Sequence, residues 1–419
     1  MVIKIGILGC GTVGSGFLEL LKNYPEIQVQ KVAVRDLPKA HNLGLLDAAL
    51  FTNNPEEIVT NPDIEVVVEL MGGIELAKKL LITALNNKKH IVTANKDLIA
   101  TAGEELFAVA KANGKTIFYE AAVAGGIPII TNLKQSLKGN VIKRLFGIIN
   151  GTTNFILDQM KRKGASFSDA LAQAQELGYA ESDPTNDVDG HDAAYKIAIL
   201  ASIISGKKID MTKIYREGIR NISQADIKSA EKRGYAIKLL AMALNDGDEL
   251  DIRVHPVFVP KEKTLANVNA ENNAVMIDGS AVGELTFIGR GAGSLATASS
   301  VLGDLLMLMN QGDNISSQFM VAPHTEEAKL KSIDDVKNPF YIRVSMHDKV
   351  GVLKDLGLIT ERNNANVRFI DQYEVTGDSA LADFMIDPIS EKSMKQMLRE
   401  VQELPSIKAV ESVIRVLDV

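Results

Sequence analysis

The 419-residue chain has one cysteine, Cys10, no tryptophan and six histidines. A single thiol cannot close an intrachain disulfide, and no thiolate-based metal centre can be built from it. The histidines, at 41, 90, 191, 255, 324 and 347, include no pair at helix or finger spacing, so a histidine-held metal is not expected. Apolar stretches are short: "IAILASII", Ile197–Ile204, reads as part of a buried helix and falls well below the ~20 residues of a membrane span. Basic residues are outnumbered, 46 Lys and Arg against 53 Asp and Glu, for a net charge of −7. That balance argues against a nucleic-acid or anionic-membrane partner. The opening "MVIKIGILGCG" enters a strand pattern at once, without the charged, apolar and small-residue regions of a secretion signal. A cytoplasmic soluble protein is expected.

What is present is an ordinary globular composition, 46% hydrophobic and 24% charged, in a chain long enough for two or three domains. Buried-type strands alternate with helical spacing from "IKIGILG" (Ile3–Gly9) to "KTIFYEAAVAGG" (Lys115–Gly126). This pattern predicts a Rossmann-like, doubly wound parallel α/β sheet over residues 1–130, completed by a returning helix near 291–311. Residues 131–311 read as an α+β domain. It has helices to about Asn245 and antiparallel strands in "DELDIRVHPVFVP" and "NAVMIDGSAVGELTFIG". A polar linker is expected over 312–338. Residues 339–419 follow β-α-β-β-α-β order, which predicts a ferredoxin-like domain.

The chemistry begins at "GCGTVG", Gly9 to Gly14. A G-x-G-x-x-G between a buried strand and a helix is the context of a dinucleotide site. Gly9 permits the tight turn, Gly11 admits a pyrophosphate close to the backbone, and Gly14 lets helix and strand pack. Thr12 and Val13 open the helix, whose free N–H groups would face the phosphates. The second strand ends in "AVRDLPK". Arg35 and Lys39 could hold a 2′-phosphate and favour NADP; Asp36 could bind a 2′-hydroxyl and favour NAD; all three could be surface charges.

The other polar concentration is "GYAESDPTNDVDGHDAAYKIAIL", Gly178–Leu200. Asp192 and Lys196 are four apart and share one helix face. Alone this is an everyday surface pair, but the run after Lys196 is apolar all round, which places the pair at a buried face. There a lysine can serve as a general acid or base and a carboxylate can hold it. Glu181 and Asp187 lie in the preceding loop, broken by Pro184, and Asp189 is the expected N-cap.

These residues carry a family resemblance. The Gly178–Leu200 segment resembles the substrate segment of homoserine dehydrogenases. Agreeing in order are GCGTVGSG, MGGIE (Met71–Glu75) with TANKDLIA (Thr93–Ala100), EAAVAGGIPII (Glu120–Ile130) with GIINGTTNFIL (Gly147–Leu157), and GRGAGSLATAS. The terminal "RVSMHDKVGVLKDLG" resembles an ACT domain, an amino-acid-sensing module. The resemblance implies reversible, nicotinamide-dependent reduction of aspartate 4-semialdehyde to homoserine, in threonine and methionine biosynthesis. It implies Lys196 as proton donor, Asp192 as the group that positions it and binds substrate, and Lys96 beside nicotinamide and substrate. Glu181 would meet the substrate ammonium, supported by Asp187, with Gly178 in the same segment. Gly291 would touch the cofactor. Glu120, Val123, Gly125 and Ile127 would hold a monovalent cation such as sodium; otherwise the segment is a tight turn joining two domains. In the ACT unit, Gly351 is the turn glycine and Asp348 and Asn366 are candidate effector contacts. Threonine is the effector suggested by pathway logic, with assembly alone as the other role of the unit. A homodimer or homotetramer is implied, with residues 131–311 as the substrate-binding and dimerisation domain. His41 departs from the basic residue that often follows the Arg/Lys cluster, which weakens the NADP reading.

Two other functions fit the residues less well. A dehydrogenase for a related amino-acid aldehyde would differ in substrate alone. A nucleotide- and amino-acid-binding sensor without turnover would not need the Asp192, Lys196 and Lys96 set.

Overall fold

The computed structural model describes residues 2–311 and 324–418. It forms two compact units, one of Met1–Gly151, Asp192–Ile214 and Glu271–Ala328, the other of Thr152–His191, Tyr215–Ala270 and Lys329–Val419. Most of the first half of the expected linker, 312–323, lies outside the described residues.

The first unit is built on six parallel strands: β1 (Ile3–Leu8), β2 (Ile27–Ala33), β3 (Phe51–Thr52), β4 (Val66–Glu69), β5 (His90–Thr93) and β6 (Ile117–Phe118). Their order is β3-β2-β1-β4-β5-β6, the doubly wound dinucleotide-binding order. Ile5, Ile7, Val66, Val67 and Val68 are fully buried, because helices cover both faces of such a sheet. The late helix Ser294–Gln311 returns to this sheet, and Ala298, Val301 and Leu305 share a core with Ile5, Ile7 and Phe17. It lies so close to the helix Thr12–Leu21 that a Cβ on Gly16 would stand 2.3 Å from Ser294 Oγ. A separate antiparallel ladder joins Ile142–Ile148, Asn272–Gly279 and Gly283–Arg290.

In the second unit, Tyr235–Asn245 pairs antiparallel with Leu250–Pro260. This corrects the expectation of helices to about Asn245. Apart from Lys238 and Asn245, "YAIKLLAMALN" is apolar throughout, so its periodicity cannot separate a helix from a strand buried on both faces. Pairing along its whole length overrides the helix propensity of its Ala, Leu and Met residues.

The C-terminal elements are the strands Lys337–His347, Val367–Thr376, Ser379–Ser390 and Ile407–Val416, with helices Val352–Arg362 and Glu391–Gln402. The first strand lies between the fourth and the third, and the second borders the third, the ferredoxin-like arrangement. Arg415 and Val416 also pair parallel with Val257 and Phe258, so this sheet runs on into the Leu250–Pro260 strand. The unit holds buried ion pairs. Arg343 meets Asp226 and Asp383, each at 3.0 Å, and Arg415 donates to Glu391 at 2.9 Å.

Candidate active site

At the C-terminal end of β1 the chain turns through Gly9, whose φ of +100° and 2.7 Å virtual Cβ contact with the Leu70 carbonyl oxygen both demand glycine. Gly14 is a packing glycine, since a Cβ there would lie 2.4 Å from the Gly9 carbonyl oxygen. Gly11 differs: a Cβ would meet nothing within 4 Å. It caps the Thr12–Leu21 helix without a side-chain hydrogen bond, leaving first-turn N–H groups available to an anion. Gly9, Gly11 and Thr12 border a cleft of about 840 Å³ that also receives Arg35, Asp36, Lys39 and the Met71–Gly73 turn. The open side of Gly11 and the uncapped helix fit the diphosphate of a nicotinamide dinucleotide. Asp36 accepts from the Lys39 N–H at 3.0 Å as cap of the short Leu37–His41 helix, so its carboxylate serves the chain itself.

The helix His191–Ser205 carries Asp192 in its first turn and Lys196 one turn later. Lys196 Nζ donates to Asp192 Oδ2 at 2.7 Å and to the Ile149 carbonyl at 2.8 Å. Lys96, first residue of the helix Lys96–Ala112, places its Nζ 3.3 Å from the other carboxylate oxygen, Oδ1. Asn150 Nδ2 donates to Oδ2 at 2.9 Å. Asp192 is thus a buried anion between two ammonium groups. Burial pushes its carboxyl up, but attraction from Lys196 and then Lys96, with hydrogen bonds from Lys196 and Asn150, brings it below the ordinary carboxylate range.

Asp189 is not the cap of this helix. It ends the preceding short helix Thr185–Val188, and Arg220 grips its two oxygens at 2.6 and 3.2 Å. Gly190, at φ +79°, separates it from the helix start. In the second unit Glu181 is exposed, with its carbonyl accepting from Gln175 Nε2 at 2.9 Å, and Asp187 is half-buried in the short helix. Gly178, φ +76°, terminates the Phe167–Glu176 helix in the left-handed conformation that suits glycine.

In the Glu120–Ile127 segment the Glu120 carboxylate accepts the amides of Ile130 and Thr131 at 2.8 and 2.7 Å, at the start of the helix Ile129–Lys134. The Gly125 carbonyl accepts the Ser300 hydroxyl at 2.6 Å. Ala124 and Gly125 take φ of +57° and +53°, a tight turn in which the Glu120 and Ile127 carbonyls accept the Val123 and Ile129 amides. Among the described residues no group of three His, Cys, Asp or Glu is placed to hold a metal. Gly291 is buried where a Cβ would collide with Asn273, and its carbonyl oxygen would be 2.4 Å from a Cβ on Gly125. Close packing by itself therefore requires this glycine. In the C-terminal unit Gly351, φ +99°, starts the Val352–Arg362 helix. Asp348 accepts from Gln372 at 3.2 Å and Asn366 donates to Asp387 at 2.6 Å. The ladders put Asp348 and Asn366 at opposite ends of the Ser379–Ser390 strand.

The sequence pattern does not single out Asn150, which donates to Asp192 from within Gly147–Leu157. Nor does it single out Glu69, whose one signal is a lone carboxylate ending the apolar strand Val66–Glu69.

Comparison with known proteins matches residues 9–120 to the family model "Homoserine dehydrogenase, NAD binding domain" and 128–306 to "Homoserine dehydrogenase". A homoserine dehydrogenase of a Synechocystis species is 42% identical over the full length of both chains. The crystal structure of a homoserine dehydrogenase from Thiobacillus denitrificans superposes with a TM-score of 0.92 at 38% identity, covering 100% of this chain and 99% of that one. A hyperthermophilic archaeal homoserine dehydrogenase in complex with NADPH matches at 29% identity and TM-score 0.66, over 75% of this chain and all of its own.

Proposed function

The chain belongs to the homoserine dehydrogenase family, and from that premise we propose that Lys196 passes the proton to and from the substrate oxygen, held in place by Asp192. The enzyme is a nicotinamide-dependent oxidoreductase, and its reaction is the reversible reduction of aspartate 4-semialdehyde to homoserine. The nicotinamide, when bound, supplies or accepts the hydride. As the aldehyde oxygen gains charge, the Lys196 ammonium gives it a proton; in the oxidation direction the neutral amine takes the hydroxyl proton. Lys96 stabilises the charge that develops on that oxygen. The observation that carries this reading is the shared carboxylate: Asp192 meets Lys196 at 2.7 Å and Lys96 at 3.3 Å. It keeps both cations in one place while leaving Lys196 a proton to give.

The finer assignments extend the proposal. NADP is favoured over NAD because Arg35 and Lys39 border the cleft while Asp36 is engaged as a cap. Glu181 and Asp187 bind the substrate ammonium on the strength of the resemblance. A sodium ion would be held by the Glu120 carboxylate or carbonyl with main-chain oxygens of Val123, Gly125 and Ile127, threonine acts through the ACT-like unit, and the enzyme is a homodimer or homotetramer.

The test is absorbance at the nicotinamide band with homoserine, offered NADP and NAD separately, beside Lys196→Ala. Turnover that collapses in the variant while cofactor binding survives supports the role of Lys196. A variant that keeps wild-type turnover would pass the proton role to Lys96.

A further inference from the structure

We propose that Glu69 is a positioning residue of the active site, its carboxylate tying the cofactor-side turn at Met71–Gly73 to the turn that presents Lys96. The inference rests on the dehydrogenase reading above. Glu69 ends β4 and is fully buried; its register partner Thr93 ends β5. In parallel α/β sheets this is the end where ligands bind. Oε1 accepts the amides of Met71 and Gly72 at 2.9 and 3.1 Å, and Oε2 accepts the Thr93 hydroxyl at 2.6 Å. Thr93 Oγ1 in turn accepts the Asn95 amide at 3.0 Å. The Asn95 side chain then closes the circuit. Its Oδ1 accepts the Leu98 amide at 3.1 Å, capping the helix that begins at Lys96, and its Nδ2 donates to the Gly73 carbonyl at 2.7 Å.

Met71, Gly72 and Gly73 line the cofactor cleft, and Lys96 meets Asp192. One buried carboxylate therefore touches both halves of the site. The strand ends do not need it: Leu70 N–H already bonds the Leu8 carbonyl, and Ala94 N–H the Glu69 carbonyl. Burying a carboxylate is costly, and burial accordingly raises the Glu69 carboxyl above its ordinary range. What the charge adds is a group made of acceptors alone, facing three donors from two loops. Glutamine is isosteric but a poorer partner. With its oxygen toward Met71 and Gly72, its NH2 must donate to the Thr93 oxygen, and the Thr93 O–H loses the acceptor it has in Glu69; reversed, its NH2 opposes two amide N–H groups.

The experiment compares Glu69→Gln, Thr93→Val and Thr93→Ser, reading cofactor Kd by titration without substrate and kcat for homoserine oxidation. Glu69→Gln strains both loops, so Kd rises and kcat falls, each by about tenfold. Thr93→Val removes the hydroxyl from Glu69 Oε2 and from the Asn95 amide but leaves the Met71 and Gly72 hydrogen bonds to Oε1 in place: kcat falls about tenfold, Kd stays within about twofold, and Thr93→Ser restores kcat. A Glu69→Gln Kd within about twofold of wild type overturns the proposal, and so does a Thr93→Val variant that keeps kcat or loses Kd and kcat in equal proportion. Should Glu69→Gln not fold, the Thr93 pair decides. A failure of the dehydrogenase reading would appear instead as a wild type without turnover, while the titration still judges Glu69.

Discussion

Lys196 Nζ stands 2.7 Å from Asp192 Oδ2, one helical turn away, and both side chains are largely withdrawn from solvent. The same carboxylate turns its other oxygen to Lys96. Asp192→Asn keeps the shape and removes the charge that holds two cations together. We expect kcat to fall by about 10²-fold with cofactor affinity little changed, as measured by steady-state kinetics and a cofactor titration.

The depressed Asp192 carboxyl also links stability to pH. A carboxyl whose folded value is below its unfolded one stabilises the protein above the unfolded value, near 3.9, and loses that contribution as pH falls through the folded value. Thermal unfolding of wild type and Asp192→Asn should differ steadily from neutrality down to the ordinary carboxylate range. The gap should close only in stronger acid. A gap that closed near pH 6 would contradict the shared ion pair.

Asn150 donates to the carboxylate oxygen that Lys196 also uses. Asn150→Ala should lower kcat by about fivefold, the loss of one hydrogen bond to a charged group. Asn150→Asp should be worse, because it sets a second anion against Asp192.

Gly11 and Gly14 separate binding from folding. A methyl on Gly11 enters open space at the cleft, so Gly11→Ala should fold normally and raise the cofactor KM by about tenfold. A methyl on Gly14 meets the Gly9 carbonyl oxygen at 2.4 Å, so Gly14→Ala should lower Tm as well. Differential scanning fluorimetry beside kinetics distinguishes the two.

Arg343 is buried between Asp226 and Asp383. Arg343→Ala leaves buried Asp226 without its cation and Asp383 with Arg233 alone, and should cost about 3–5 kcal/mol of stability in the second unit. Denaturant unfolding followed by circular dichroism would measure it.

Much of this protein could be read in local pattern. The glycine turn after β1 states its own conformation, and the strand–helix alternation states a parallel sheet, because both are short-range consequences of backbone sterics and burial. The i,i+4 spacing put Asp192 beside Lys196 without any tertiary information. The tertiary structure decided what depends on distant chain. Lys96 reaches Asp192 from a segment 96 residues earlier in sequence, and Asn150 from one 42 residues earlier. Asp189 looked like a cap until Arg220 claimed it, since a carboxylate goes to the stronger partner that folding brings within reach. Tyr235–Asn245 became a strand for a related reason. A run that is apolar except for Lys238 and its last residue has no clear periodicity of its own, so the partner strand Leu250–Pro260 chose its conformation. Glu69 was visible as a letter, but the convergence of three donors on it exists only where β4 and β5 end side by side.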